Sequence, residues 1–152
     1  MIDPKQTRGF LNNNPGNLDR AAQPWMGEVR DMPLCQNDIQ RMELTHGRFC
    51  VFENAVMGIR AMAKNLLAYH DRLLCDTIRQ YIERWAPPNE NNTEAYVMHV
   101  ASRLACDPDD QIEIRDPKVM AAVIDGIIRV ECAGMPYEGS EIAEGMALAG
   151  VK

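Results

Sequence analysis

The sequence is poor in the features that announce most function classes. Aromatic residues make up 6% of its 152 residues, with 2 tryptophans, and it has only 3 histidines. No CxxC or CxxH pair occurs: Cys35, Cys50, Cys75, Cys106 and Cys132 stand far apart, and His46, His70 and His99 do not complete a ligand set. A zinc site needs closely spaced ligands, so no metal is expected. Scattered cysteines of this kind read as buried free thiols, with room for one bridge, Cys75–Cys106, in an oxidising compartment. GxSxG, P-loop, GxGxxG and HExxH motifs are absent, and no cofactor is expected. Basic charge is scarce: 16 Lys and Arg stand against 22 Asp and Glu, a net charge of −6. Neutralising a phosphate backbone needs clustered cations, so no nucleic-acid partner is expected. No apolar run reaches the roughly 18 residues that suggest a membrane span. The opening MIDPKQTRGF carries no apolar stretch of the secretory type. The chain is therefore expected to be made in the cytoplasm without a signal peptide and without an integral membrane segment.

What is present is an ordinary globular composition, 46% hydrophobic and 25% charged, enough for one domain over residues 1–152. Residues 1–34 read as loop, with Pro4, Pro15, Pro24 and Pro33 and the turn-forming run Asn12–Asn17 (NNNPGN). That run supplies a fixed φ at Pro15 and a residue free to take positive φ at Gly16. Residues 35–44 allow a short helix. RFCVF (48–52) alternates like a strand and predicts a small β-hairpin around Phe49–Phe52. Helical periodicity then dominates. It covers 55–71, 76–86 with Asp76 as cap, 93–106 with Asn92 or Thr93 as cap, a segment from Asp116 and Pro117 through Ile128, and 139–148. The fold class is mainly α.

Two polar segments stand out. One is Asn12–Asn17. The other runs from Trp85 through Pro87, Pro88, Asn89, Glu90, Asn91 and Asn92 to Thr93, with Tyr96 one turn on. Asparagine amides both donate and accept, and aromatic faces stack on the apolar faces of sugar rings. Amides beside Trp and Tyr suit a hydroxyl- and acetamide-rich ligand. The competing reading is that these residues only build turns and caps. Trp25, in the polar loop, either plugs the core edge or lines a groove. Glycoside cleavage needs a carboxylic acid to protonate the leaving oxygen. Asp19, Glu28, Asp31, Glu43 and Glu53 are all near, and no spacing selects a pair. Asp107–Asp110 reads as a solvated turn, without the ligand alternation of a calcium loop. A cysteine hydrolase built on Cys50 and a histidine is a third possibility.

The order RGFLNNNPGNL (8–18), Trp25-Met26-Gly27, RFCVFEN (48–54), GIRAMAKNLLAYH (58–70), TIRQYIERWAPPNENNT (77–93) and EAYVMHV (94–100) resembles small phage and prophage proteins of virion or endolysin-like type. Those proteins look lysozyme-like. The pattern is also similar to bacterial glucosaminidases and lytic transglycosylases. The resemblance covers about residues 8–105. It implies a lysozyme-like helical domain and a peptidoglycan glycan strand as partner, cleaved at a β-1,4 bond by general acid catalysis. A non-catalytic virion or cell-wall-binding module is the alternative. Other virion or secretion-apparatus proteins are further partners it allows. The implied place of action is the cell wall, the periplasm or a virion. The implied sugar-binding residues are Asn13, Asn14, Asn17, Trp25, Trp85, Asn91, Asn92 and Tyr96. In those enzymes the catalytic glutamate ends a helix that precedes the Asn-rich segment. Here seven residues precede Arg8 and their one acid is Asp3. The acid is therefore expected from the β region: Glu43 first, with Glu28 and Asp31 behind it.

Overall fold

The computed structural model describes residues 1–89 and 91–152. Among them the chain is mainly helical. A short α1 (Arg8–Leu11) and α2 (Asp38–His46) flank a long loop. Then come α3 (Ala55–Leu73), α4 (Ile78–Trp85), α5 (Thr93–Leu104), α6 (Pro117–Glu131) and α7 (Gly139–Leu148). The N-terminal ends are fixed by side-chain caps. Asn37, Asn54, Thr77, Asn92 and Asp116 each accept a first-turn amide, a contribution of about 1 kcal/mol apiece. Of the expected caps, Asp116 and Asn92 hold that place. Asp76 does not, because the Thr77 hydroxyl accepts from the Gln80 amide instead.

The core gathers on α3, whose Ile59, Met62, Ala63 and Leu66 are fully buried. α7 lies against it, and α5 packs on both α4 and α6. The α3–α7 approach is close: a Cβ at Gly145 would stand 2.6 Å from Ile59 Cγ2. α6 presents Met120, Val123, Ile124, Ile127 and Ile128 inward, each contributing roughly 2 kcal/mol on burial. No described helix is long and apolar enough to cross a membrane.

The expected β-hairpin does not form among the described residues. Residues 48–53 are extended, but the flanking segments come from elsewhere. On one side Cys50 N donates to Leu18 O (2.9 Å) and Arg20 N to Arg48 O (2.7 Å); on the other Val29 N donates to Val51 O (2.7 Å) and Glu53 N to Gly27 O (2.9 Å). Successive residues of a strand face opposite edges, so this segment is clasped between two stretches of the N-terminal loop. The result is two isolated antiparallel bridges there, Asp19 to Phe49 and Glu28 to Phe52. The segment forms isolated bridges and no strand, and its partners lie about 20 to 40 residues upstream, not across a local turn.

The long loop is ordered by what lies under it. Cys132, just past α6, is buried with its thiol toward Pro15 O, 3.8 Å away. Gly134 then comes so near the N-terminal segment that a Cβ there would meet Pro4 Cγ at 2.7 Å. All five cysteines are free thiols, with Cys50, Cys75 and Cys132 buried.

Candidate functional site

The Asn-rich run turns back on itself through Asn13 (φ 54°) and Asn17 (φ 48°), both left-handed. Asparagine tolerates that region better than most residues. Gly16, expected to supply the positive φ, has another task. A Cβ on it would stand 2.7 Å from Trp85 Cζ2 and 2.9 Å from Met62 Cγ. Its bareness lets the Trp85 ring close on the loop, where the indole Nε1 donates to Gly16 O at 3.1 Å. Tyr69 meets the same ring edge-on, with centroids 6.2 Å apart.

The amides of the run have divided roles. Asn14 is fully buried; its Nδ2 donates to Leu18 O and Cys50 O (3.0 Å each) and its Oδ1 accepts from Leu18 N (3.0 Å). Asn12, also fully buried, donates to Glu43 Oε1 at 3.0 Å. Asn13 donates to Phe52 O (2.9 Å) and faces a separate hollow beside Tyr137. Only Asn17 reaches the main cleft. Its Nδ2 donates to Glu131 Oε1 at 2.8 Å, and the Tyr96 hydroxyl donates to Glu131 Oε2 at 2.8 Å. Burial, and then the Glu131 carboxylate, push the Tyr96 phenol well above its ordinary pKa, which keeps it a donor.

This cleft has a volume of about 550 Å³. It is lined by Asn17, Asp19 and Trp25 of the N-terminal loop, Asn65 and Tyr69 of α3, Arg84 and Trp85 of α4, Asn89 and Asn91 of the loop beyond, and Glu131. A second hollow of about 480 Å³ shares Asn91 and Glu131 and continues along Asn92, Ala95, Tyr96 and His99. Glu131 therefore stands where two depressions meet. Glu90, within the second polar segment, lies outside the described residues.

Of the residues expected to hold sugar, Asn17, Trp25, Trp85 and Asn91 line the main cleft, while Asn92 and Tyr96 line its continuation. Asn13 and Asn14 line neither. The three expected acids lie elsewhere. Glu43 is 4% exposed, held by Asn12 and by the Phe49 amide at 3.2 Å, with Arg8 at 3.7 Å. Its carboxylate ties α2 to the Asn-rich run. Glu28 accepts from Trp25 N (3.0 Å) and Arg30 Nε (2.7 Å) and so sets the turn that presents Trp25. Asp31 is exposed at the start of a 3-10 turn, away from both depressions. Cys50 is fully buried; burial and the nearby Glu28 carboxylate push its thiol up to about 12, the reverse of what a nucleophile needs. Among the described residues no cluster of His, Cys, Asp and Glu could hold a metal.

Glu131 is a carboxylate lining both depressions that the sequence reading did not single out. A signal for it existed. It sits four past Ile127 and three past Ile128, on the buried stripe of α6, where a solvated acid has no reason to fall.

No protein family model matches the chain. Over 142 residues it is 33% identical to protein P5 of Pseudoalteromonas phage PM2, across 91% of this chain and 79% of that one. The chain belongs to the family of that phage protein. Its origin is thus with phage, as the motif pairing implied, and the resemblance to lysozyme-like enzymes is taken up below as a proposal.

Proposed function

We propose that this phage-family chain is a peptidoglycan glycosidase in which Glu131 is the general acid. The observation that carries this reading is the placement of Glu131. Its carboxylate ends a helix, faces the Asn-rich loop, and lies between two depressions edged by Trp25, Trp85, Asn91 and Tyr96. The lysozyme-like resemblance leads one to look for a glutamate at a helix end opposite this loop. Here the helix bearing such a glutamate follows the loop in the chain instead of preceding it. Chain order matters less to chemistry than the position of the carboxylate.

In the proposed reaction the sugar strand lies along the cleft with ring faces on Trp25 and Trp85 and acetamido groups on Asn89 and Asn91. Glu131 donates a proton to the glycosidic oxygen as the bond to the anomeric carbon breaks; water, or the sugar's own C6 hydroxyl, then bonds to that carbon and gives up its proton to the Glu131 carboxylate, leaving a reducing or an anhydro end. Asn17 and Tyr96 fix the carboxyl group, and positioning of this kind removes much of the entropic part of the barrier. The place of action is the bacterial cell wall, reached from a virion or by another delivery route.

One observation favours a second reading, a non-catalytic glycan-binding module. Both oxygens of Glu131 already accept hydrogen bonds from the protein, as a purely structural carboxylate's would. Incubation with purified sacculi separates the two. Mass spectrometry of released fragments should show new reducing or anhydro sugar ends, and Glu131→Gln should abolish them while leaving the fold intact by circular dichroism. Binding to sacculi with no fragments released establishes the second reading instead. Full activity in Glu131→Gln removes Glu131 as the acid.

A further inference from the structure

The cleft carries two cations, and they are not in the same state. Arg48 Nε lies 3.1 Å from Asp19 Oδ1, so its charge is answered within the cleft. Arg84, in the last turn of α4, is exposed and lines the same cleft beside Trp85. Among the described residues no carboxylate pairs with it. Its charge is felt by the Tyr69 phenol and the Cys75 thiol, whose ionisation it favours. In a chain of net charge −6, a guanidinium that no described carboxylate pairs, beside an aromatic and amide platform, stands apart. Most arginines of this molecule are engaged by carboxylates, as Arg30, Arg79, Arg103 and Arg115 are.

We propose that Arg84 is a specificity residue that receives a carboxylate borne by the substrate. The inference rests on reading the cleft as a glycan site, and it narrows the ligand class. The preferred ligand is an aminosugar polymer carrying acidic substituents, such as the peptide stems of peptidoglycan, over a neutral N-acetylglucosamine polymer. The guanidinium suits this because its planar fork matches a carboxylate in two-point geometry and its charge persists at any working pH. The neighbouring Trp85 and Asn89 place the sugar. A substituent rising from that sugar then passes the end of α4.

The test compares three probes: soluble peptidoglycan fragments that keep their peptide stems, the same fragments with their carboxyls amidated, and chitotetraose. Affinity is measured by calorimetry in a Glu131→Gln background, which prevents turnover, with and without Arg84→Gln. The acidic fragments should bind about fivefold tighter than their amidated form, the scale of one partly exposed ion pair. Arg84→Gln should collapse that ratio toward one, Arg84→Lys should retain part of it, and added salt should shrink it. A ratio that Arg84→Gln leaves unchanged overturns the inference, as does equal affinity for acidic and amidated fragments. Both of those outcomes keep the glycan cleft. Absence of binding to all three probes by folded protein overturns the glycan reading itself, and the inference with it. Thermal melts confirm that each variant is folded.

Discussion

At the scale of single residues, four asparagines that look alike in the sequence do different work. Asn14 closes three hydrogen bonds inside the protein, and Asn17 holds a carboxylate at the cleft. Asn14→Ala should cost roughly 2–4 kcal/mol, since it leaves two carbonyls and an amide without their buried partner; a urea titration monitored by tryptophan fluorescence reads it. Asn17→Ala should cost less stability and act on the cleft, lowering kcat more than KM if Glu131 is the acid. Gly16→Ala makes a sharper case. The added methyl meets Trp85 and Met62 inside 3 Å, so a loss of about 1–3 kcal/mol is expected from overpacking, together with a shifted Trp85 emission maximum. Tyr96 and the two tryptophans were legible at this scale because aromatic residues in polar segments are unusual. The division among the asparagines was not, because an amide's role is decided by which groups bury it. Glu43, Glu28 and Asp31 lie outside both depressions, and the sequence could not show this for the same reason. Proximity in sequence to the Asn-rich run gave them their rank, and their carboxylates are absorbed in tying that run down or left outside it.

At the scale of elements, the helices stand close to where their periodicity places them. The amphipathic stripes of α3, α4 and α6 lie within a few residues of their expected spans, because burial of one face is what makes each helix stable and that face repeats in the sequence. The extended segment 48–53 shows the limit. Alternation identifies an extended segment but not its neighbours, and here both neighbours belong to the N-terminal loop. Caps provide a test. Asn92→Ala removes the acceptor of the Ala95 amide at the start of the helix that carries Tyr96. Stability should fall by about 1 kcal/mol, visible as a lower thermal midpoint, and binding of sacculi should weaken because Tyr96 lies one turn away.

Across the whole molecule, burial has a consequence for pH. The Cys50 thiol is pushed up to about 12 and the Cys132 thiol to about 11, against an ordinary 9.0, chiefly by burial. The Tyr81 and Tyr137 phenols are raised for the same reason. These groups stay neutral when folded but ionise earlier when unfolded. The stability tied to them is fully present below pH 9 and is lost as pH rises from 9 toward 12. The urea midpoint should therefore drop between pH 8 and pH 10.5, and Cys50→Ala with Cys132→Ala should flatten that drop; an unchanged slope in the double variant would assign the effect to the tyrosines. At this scale the sequence was least informative. Nothing local says that Asn17 and Glu131, 114 positions apart, belong together.

That separation bears on time as well as space. A contact spanning so much chain forms late, after the cost of closing a long loop has been met. During synthesis the Asn-rich loop, the first polar wall to leave the ribosome, has no carboxylate to hold until the end of α6 has been made. A chain interrupted before residue 131 would carry every motif of the phage resemblance and lack the one cleft carboxylate that Asn17 and Tyr96 hold. If the cleft cuts cell wall, it has no acid to do so until α6 has been made.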